Sequence, residues 1–193
     1  KKDEYKYYLE TICRQTTRLN KLVEELNYLT LSVKETDSAD KKETIFLDKL
    51  LIDCMSEFKL RAEKEQRDIF IKVIPENAKI VSNYNKMQRI IVNLLGNAFK
   101  YSPSGTKIEI VAEISDEILS ISIIDEGCGI KKEELDNIFK RLYRVEASRN
   151  MKTGGYGLGL AIAKQLAMQL NGDIIVESEY GKGSTFTLKI LTK

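Results

Sequence analysis

Two pairs of alternating segments, each joined by a short polar turn, most constrain the fold of this chain. In residues 107–114 and 119–125, apolar and polar side chains alternate on either side of the turn Ser115-Asp-Glu. Residues 173–179 and 184–190 form a second such pair near the end of the chain. Alternation around a short turn predicts an antiparallel hairpin with one buried face. The chain should therefore contain a mostly antiparallel sheet whose apolar face is covered by other elements.

Amphipathic helices can provide that cover. Residues 85–100 carry apolar side chains three and four positions apart, as one face of a helix requires. Residues 50–66 and 158–170 are also amphipathic. A shorter helix is predicted near 132–139. Further strands are predicted at 45–47, 69–74 and 79–82. The pattern predicts an α+β fold, a two-layer α/β sandwich in which helices cover one face of a mixed, mostly antiparallel sheet.

A separate helix is predicted before this sandwich. Apolar residues within 3–34 recur close to every 3.5 positions, without Gly or Pro, which is typical of a coiled-coil-type or bundle helix. The polar segment that follows has the composition of a linker. We therefore predict a long helix over 1–34, a linker over 35–44 and a globular domain over 45–193. The alternative is that the helix packs against its own domain.

The composition excludes several kinds of chemistry. The chain has no histidine, so it contains no Ser-His-Asp or Cys-His relay and no His-ligated zinc. A net charge of +2 argues against a dedicated nucleic-acid-binding protein. Three scattered cysteines argue against a disulfide framework. No apolar run approaches the ~18 residues of a membrane span, so we expect no direct membrane contact. Because the chain begins without Met inside a helical pattern, we interpret it as a fragment.

Two glycine clusters could hold a ligand. The first, DEGCGI at 125–130, follows a predicted strand, and the second, GGYGLGL at 154–160, opens a predicted helix. Glycine allows close backbone approach, and a helix N-terminus presents unpaired N–H groups that suit phosphates. The spacing matches neither a Rossmann fingerprint nor a P-loop. Each cluster alone has the ordinary turn as its alternative.

A third constellation lies in the predicted helix 85–100. Asn93, Asn97 and Lys100 are spaced so that they share one helix face. A buried amide without a partner costs roughly 1–3 kcal/mol. Bound Mg²⁺ and a triphosphate would satisfy these groups, since Mg²⁺ takes oxygen ligands and Lys binds phosphate. The alternative is a solvated face.

The clusters occur in a characteristic order. NLLGNAFKYS, DEGCGI, IFKRLYR, GGYGLGL and GKGSTF closely resemble the N, G1, F, G2 and G3 boxes of the catalytic ATP-binding domain of bacterial sensor histidine kinases. That domain belongs to a superfamily that includes Hsp90, gyrase and MutL. The resemblance covers about 45–191. The N-terminal helix is similar to the second helix of the dimerisation and phosphoacceptor hairpin of these kinases, and the usual first helix with its histidine box is missing.

The resemblance implies roles for individual residues. Asp125 should accept a hydrogen bond from the adenine amino group, which selects adenine over guanine. Gly127 and Gly129 should allow close approach, and Ile130 should pack on the base. Thr185 should lie under the adenine.

The phosphate side of the site follows from the same resemblance. Asn97 should be the Mg²⁺ ligand, with Asn93, Lys100 and Tyr101 along the phosphates and ribose. Arg144 should stabilise charge on the γ-phosphate, which makes Arg144 and Lys100 the expected catalytic residues. Residues of the second glycine box should surround the polyphosphate: Gly155, Gly157, Leu158, Gly159 and Leu160. The basic segment 139–156 would form an ATP lid. One departure is Tyr156, which stands where the family commonly carries Thr or Ser.

The resemblance finally implies an activity. The domain should transfer the γ-phosphoryl of ATP to a histidine not present in this chain, for onward transfer to an Asp of a response regulator receiver domain. The N-terminal helix should form a homodimer in a parent that is a membrane-bound bacterial sensor, with this part in the cytoplasm. The alternatives are a non-catalytic ATP-binding signalling module and a Ser/Thr-directed kinase of the anti-sigma type.

Overall fold

The structure is a computed structural model that describes residues 41–145 and 156–192, together with scattered positions between Tyr5 and Val23. Contacts divide the chain into two units, residues 1–39 and 40–193. In the first unit the described positions are all helical, in agreement with the predicted helix. The rest of that helix and most of the predicted linker lie outside the described residues. The site lies in the second unit.

The second unit is built from a five-stranded sheet, a two-stranded sheet and helices. The strands are β1 (Glu43–Phe46), β2 (Ile69–Ile74), β3 (Lys79–Ser82), β4 (Ile108–Ser115), β5 (Ile118–Asp125), β6 (Gly172–Glu179) and β7 (Gly183–Leu191). The helices are α1 (Leu47–Ser56), α2 (Lys59–Lys64), α3 (Tyr84–Tyr101) and α4 (Gly159–Gln169), with a 3₁₀ turn at Lys132–Glu134. In the described part of the chain, no helix combines the length and apolarity that crossing a bilayer requires.

The large sheet has the order β2-β4-β5-β7-β6, and all of its neighbouring pairs are antiparallel except β2 with β4. Both predicted hairpins are present, as β4–β5 and β6–β7. Asp116 and Glu117 turn the first hairpin with φ of 50° and 64°. Two consecutive left-handed residues match the twist of the flanking strands, which is why a two-residue turn suffices there. The prediction of a mixed, mostly antiparallel sheet is confirmed.

The core lies between one face of this sheet and the helices. Alternate residues of β4 and β5 are fully buried, and so is the apolar face of α3. Those from the strands are Ile108, Ile110, Ala112, Leu119, Ile121 and Ile123. Truncating such a side chain to Ala typically lowers the free energy of unfolding by about 2–5 kcal/mol. Packing in this layer therefore stabilises the position of α3 on the sheet. The two-layer α/β sandwich is confirmed.

The prediction of one helix over 50–66 is wrong. The chain instead forms α1 and α2, with a break at Glu57 and Phe58. The Ser56 hydroxyl donates to the Asp53 carbonyl at 2.6 Å, and the Phe58 ring stacks on Phe99 at 4.8 Å. The side-chain bond competes with helix continuation, and the stacking fixes Phe58 in a turn that a continuous helix would not allow.

The prediction of a helix near 132–139 is also wrong. Beyond the 3₁₀ turn, the amides of Asn137 and Ile138 both donate to the Glu134 carbonyl, and the Lys140 amide donates to the Asn137 carbonyl. The bond from Ile138 is of the α-helical type, but consecutive bonds of that type do not follow it, so no α-helix forms. Ile138 is the one buried residue of this segment, so a single apolar anchor sets its conformation.

Candidate functional site

One cavity of about 270 Å³ lies between the C-terminal half of α3 and the loop that follows β5. Most of the sequence motifs meet at this cavity. Its walls are formed by Asn97, Tyr101, Asp125, Cys128, Gly129, Ile130, Lys131, Ile138, Tyr143, Arg144, Val145, Leu160, Tyr180, Ser184 and Phe186. The wall is mainly apolar, with a few polar groups, which is the usual character of a small-molecule site.

Asp125 is the acidic group of the cavity. It is the last residue of β5, where it pairs with Ser184 of β7, and only 6% of it is exposed. Burial raises the pKa of Asp125 to about 6, although the amides of Gly127 and Ser184 and the nearby Ser102 hydroxyl oppose that rise. The Gly127 amide donates to Oδ1 at 2.8 Å. A buried carboxylate with remaining acceptor capacity is suited to an N–H donor of a ligand.

The two glycines after Asp125 are required by close packing. A Cβ on Gly127 would lie 2.9 Å from the Tyr101 carbonyl oxygen. Gly129 has φ of +64°, and a Cβ there would overlap the Glu179 carbonyl. The loop thus packs against the end of α3 on one side and against the β6–β7 turn on the other. Ile130, held by its amide to Ser178 Oγ at 2.8 Å, contributes to the cavity wall.

The two asparagines predicted to share one face of α3 are half-buried, and their Nδ2 atoms are fully buried. The Nδ2 atoms of Asn93 and Asn97 have no hydrogen-bond partner among the described residues. Asn97 lines the cavity, whereas Asn93 lies beside the start of α4, where a Cβ on Gly159 would be 3.2 Å from Asn93 Oδ1. Native proteins rarely leave buried amides unsatisfied, so a polar ligand at this face would supply the missing partners.

The fit to a divalent metal can be tested on the same residues. Within residues 41–145 and 156–192, no three His, Cys, Asp or Glu side chains come together as a metal site. Mg²⁺ often has only one or two protein ligands and is completed by water and substrate phosphates. Asn97, with its amide at the cavity wall, is compatible with that mode of binding.

Lys100 and Tyr101 end the helix. Tyr101 lines the cavity, and the Lys100 ammonium lies 4.8 Å from the centre of the Tyr101 ring. Lys100 itself is not part of the wall. Its charge is therefore held at the rim by a cation–π contact.

The segment with the predicted F box forms another part of the cavity wall. Tyr143, Arg144 and Val145 line the cavity, and the Tyr143 hydroxyl donates to Glu134 Oε2. The Leu142 amide donates to the Gly157 carbonyl at 3.0 Å. Gly157 has φ of +72° and packs against the Tyr143 carbonyl. The F box and the second glycine box are thereby joined.

The second glycine box is only partly within the described residues. Gly155 and most of the predicted lid lie outside them, as do Arg149 and Lys152. Leu158 is buried, and Leu160 lines the cavity. The chain enters α4 through Gly159, so this helix N-terminus begins next to the Asn93 side chain.

The structure does not bring Thr185 to the cavity wall. Ser184 and Phe186 line it, and Thr185 lies between them on β7. Successive residues of a strand point to opposite faces, so only one of the two sets can face the cavity. Pairing of Ser184 with Asp125 identifies that set. The same alternation, applied to the last hairpin, would have selected Ser184 from the sequence.

Several wall residues were not selected by sequence reasoning. Tyr143 and Tyr180 are two of them. Tyr180 lies in the β6–β7 turn, directly before the GKGSTF motif. Nothing in its local pattern distinguishes it from an exposed turn residue.

Fold and site together define a class: a two-layer α/β sandwich with a ligand cavity between a helix that carries two amides and a glycine loop after a strand. The model of the family described as histidine kinase-, DNA gyrase B-, and HSP90-like ATPase matches residues 82–193. The chain belongs to this family, and the resemblance stated from its motifs is confirmed.

Individual proteins agree with this assignment. The chain is 37% identical over 193 residues to the histidine protein kinase SaeS of Staphylococcus aureus, covering 98% of this chain and 54% of that protein. It thus spans about half the length of the curated relatives it matches. Full-length ShkA in complex with AMPPNP has a similar fold, with a TM-score of 0.83 and 22% identity over 97% of this chain and 39% of that one. Histidine kinase ThkA in complex with response regulator TrrA gives a TM-score of 0.75 and 20% identity, over 92% of this chain and 49% of that one.

Proposed function

We propose that this chain is the catalytic ATP-binding part of a sensor histidine kinase and that it binds ATP with Mg²⁺ in the cavity beside α3. One observation carries the proposal: the buried carboxylate of Asp125 and the half-buried amide of Asn97, whose Nδ2 is buried and has no partner among the described residues, line the same cavity. The carboxylate suits the amino group of adenine. The amide offers Oδ1 to a metal ion and Nδ2–H to a phosphate oxygen.

Asp125 selects the base. Its ionised carboxylate accepts a hydrogen bond from the adenine amino group. Guanine carries a carbonyl oxygen at that position, which would face the carboxylate as a second acceptor and leave both groups unpaired. Gly127 and Gly129 hold the loop at the distance this contact needs, and Ile130 packs against the base.

Asn97, Asn93 and Lys100 serve the phosphate side. When bound, Mg²⁺ neutralises charge on the phosphates. Asn97 would hold it through the amide oxygen, while Lys100 and the ring of Tyr101 lie along the ribose and phosphates. The N-terminus of α4, with the residues of the second glycine box, provides unpaired amide groups for the phosphate oxygens: Gly155, Gly157, Leu158, Gly159 and Leu160.

Arg144 completes the site. Its position on the cavity wall supports a contact with the γ-phosphoryl group, whose negative charge it would stabilise during transfer. The acceptor histidine belongs to another segment or chain, because this one contains none.

The wider assembly is part of the proposal. ThkA has been solved with a response regulator, which supports a receiver-domain Asp as the final phosphoryl acceptor. We assign residues 1–34 to the second helix of the dimerisation hairpin, 35–44 to a linker and 45–193 to the catalytic domain. In the parent protein this part would lie in the cytoplasm beneath a membrane-bound sensor and would dimerise through the N-terminal helix.

Nucleotide titration tests the proposal. The chain should bind ADP and ATP in the presence of Mg²⁺ by calorimetry, and Asp125→Asn should abolish measurable binding. Asp116→Asn makes the same chemical change at the exposed β4–β5 turn and should bind like the wild type. With radiolabelled ATP, the chain alone should remain unlabelled, and a histidine-containing hairpin of a related kinase should become labelled when added. Absence of ADP binding, or labelling of the chain alone, would contradict the proposal.

A further inference from the structure

A buried arginine outside the cavity is bonded to the end of α3. Arg67 lies between α2 and β2, and 2% of its side chain is exposed. Its Nη2 donates to the Ser102 carbonyl at 2.6 Å and to the Phe99 carbonyl at 3.2 Å. Its Nε donates to Glu65 Oε2 at 2.6 Å. An arginine desolvated to this degree needs several partners, and the guanidinium fork supplies geometry for all of them.

The contacts of Arg67 are made at the C-terminus of α3. The last carbonyls of a helix have no partner within the helix, and the negative end of its dipole favours a cation. Arg67 satisfies Phe99 and Ser102 on either side of Tyr101, and its guanidinium also lies 5.3 Å from the centre of the Phe99 ring. The backbone from Phe99 to Ser102 is thus held from outside the cavity.

The same short segment touches the adenine side of the cavity. The Ser102 hydroxyl donates to the Ala98 carbonyl at 2.7 Å, and its oxygen lies close enough to the Asp125 carboxyl group to oppose the rise in the pKa of Asp125. The Tyr101 carbonyl accepts from the Cys128 amide at 3.3 Å and approaches Gly127 so closely that a Cβ there would clash. Through two consecutive residues, Arg67 is therefore connected to the carboxylate and to the glycine loop that surrounds it.

We propose that Arg67 is a positioning residue for adenine recognition, which fixes the end of α3 so that Ser102 and Tyr101 hold Asp125 and its loop in register with the base. The inference rests on the proposed function. Burial raises the pKa of Asp125, and the positive charge of Arg67 is among the effects that oppose this rise. Both the bonds and the charge thus favour the ionised, correctly placed carboxylate.

The chain contains a matched control. Arg61 also bonds Glu65, at 2.7 Å, also donates to the Phe99 carbonyl, at 2.9 Å, and also lies over the Phe99 ring. No contact of Arg61 with Ser102 is present among the described residues. If the arginines only stabilise the fold, Arg61→Met and Arg67→Met should both lower the melting temperature without changing base preference.

Base preference separates positioning from stability. Inosine diphosphate differs from ADP by a carbonyl in place of the amino group, so the ratio of the two dissociation constants reports the Asp125 contact. At a temperature where each variant is folded, Arg67→Met should weaken ADP binding about tenfold. It should weaken inosine diphosphate binding much less, so that the ratio falls. Arg61→Met should retain wild-type ADP affinity and ratio.

The outcomes distinguish the two proposals. A wild-type ratio in Arg67→Met, or an equal loss for both nucleotides, would overturn the positioning role. If Arg67→Met does not fold, Arg67→Lys keeps the charge without the planar fork, and an unchanged ratio in that variant would overturn the role equally. If wild-type protein fails to bind ADP, the proposed function falls and this inference falls with it. If wild-type protein binds ADP and Asp125→Asn does not, the proposed function stands and the Arg67 result decides the inference.

Discussion

The amide of Gly127 donates a 2.8 Å hydrogen bond to Oδ1 of Asp125, two residues earlier in the chain. The loop thus bends back on the carboxylate that ends β5 and holds it inside the cavity. One carboxylate can accept about four hydrogen bonds, so this contact orients the group without using its full capacity. The remaining capacity is what a ligand donor would occupy.

Asp125→Asn should separate stability from function. The amide has the same shape but lacks the charge whose burial raises the pKa of Asp125 to about 6. At pH 8 the variant should unfold at the same or higher denaturant concentration than the wild type, yet lose ADP binding. Urea titration and calorimetry on the same samples measure both. A variant that is less stable at pH 8 and still binds ADP would contradict this.

The stability difference between wild type and Asp125→Asn should depend on pH. Because the folded pKa of Asp125 is raised from 3.8 to about 6, the folded state binds more protons than the unfolded state within this window. The stabilisation from protonated Asp125 is thus fully present below pH 4 and is lost as pH rises through 6. Between these limits, the free energy of unfolding of the wild type should fall by about 3 kcal/mol relative to that of the Asn variant. Free energies of unfolding at pH 4.5, 5.5, 6.5 and 7.5 measure the trend. A pH-independent difference would show that the carboxyl group is not perturbed.

ADP affinity should change with pH in the opposite sense. The carboxylate accepts from the adenine amino group only when ionised, so binding should weaken as pH falls below about 6. Calorimetry between pH 5 and pH 8 in buffers of matched ionic strength tests this. Inosine diphosphate, which lacks the amino group, serves as the control, and a parallel pH profile for both nucleotides would contradict the assignment.

Asn97→Ala should remove the dependence of nucleotide binding on Mg²⁺. The substitution deletes the proposed metal ligand together with a buried Nδ2 that has no partner among the described residues, so the ligand-free chain should lose little stability. ADP affinity with Mg²⁺ should fall about tenfold or more, while affinity in EDTA stays near that of the wild type. Asn85→Ala, on the exposed first turn of the same helix, is the control. If the variant still binds ADP more tightly with Mg²⁺ to the same extent as the wild type, a residue other than Asn97 must hold the metal.

Arg144→Ala should affect ATP more than ADP. If the guanidinium contacts the γ-phosphate, the affinity for AMPPNP should fall roughly ten- to a hundredfold, which corresponds to the ~1.5–3 kcal/mol typical of one charge-assisted hydrogen bond. ADP affinity should be almost unchanged. Arg141→Ala, whose guanidinium bonds Gln165 at 3.3 Å and does not line the cavity, is the matched control. Equal losses for both nucleotides would place Arg144 elsewhere along the phosphates.

Gly129→Ala should be far more damaging than Gly181→Ala. Both glycines have positive φ, +64° and +87°, so both variants incur the left-handed backbone cost of about 1–2 kcal/mol. Only at Gly129 would the new Cβ overlap the Glu179 carbonyl, whereas nothing lies within 4 Å at Gly181. Gly129→Ala should therefore also separate the loop from the β6–β7 turn and weaken ADP binding. Similar unfolding midpoints for the two variants would contradict the close packing.

The structural elements that depend on residues close together in the sequence were predicted correctly. The hairpins β4–β5 and β6–β7 follow from alternation, and α3 follows from apolar spacing that matches its helical face. Asp125, Gly129 and Asn97, selected through the motifs, line one cavity. Their roles toward a nucleotide remain predictions.

Predictions failed where distant contacts determine local conformation. The break between α1 and α2 depends on Phe58 stacking against Phe99, some forty positions away, and the turns after Lys132 depend on the burial of Ile138. The register between β5 and β7 pairs Asp125 with Ser184, which lines the cavity, whereas the motif selected its neighbour Thr185. The role of Thr185 beneath the adenine stays a prediction.

The sequence by itself determined the sheet-and-helix architecture, the family and about half of the residues around the cavity, because periodicity and motif spacing are local properties of the chain. Only the tertiary structure decided that Arg67, Ser102 and Asp125 form one connected set. Arg67 contacts residues more than thirty positions away, and its bonds end on backbone carbonyls. A backbone carbonyl is present at every residue, so no sequence pattern marks the ones that a distant arginine will bind.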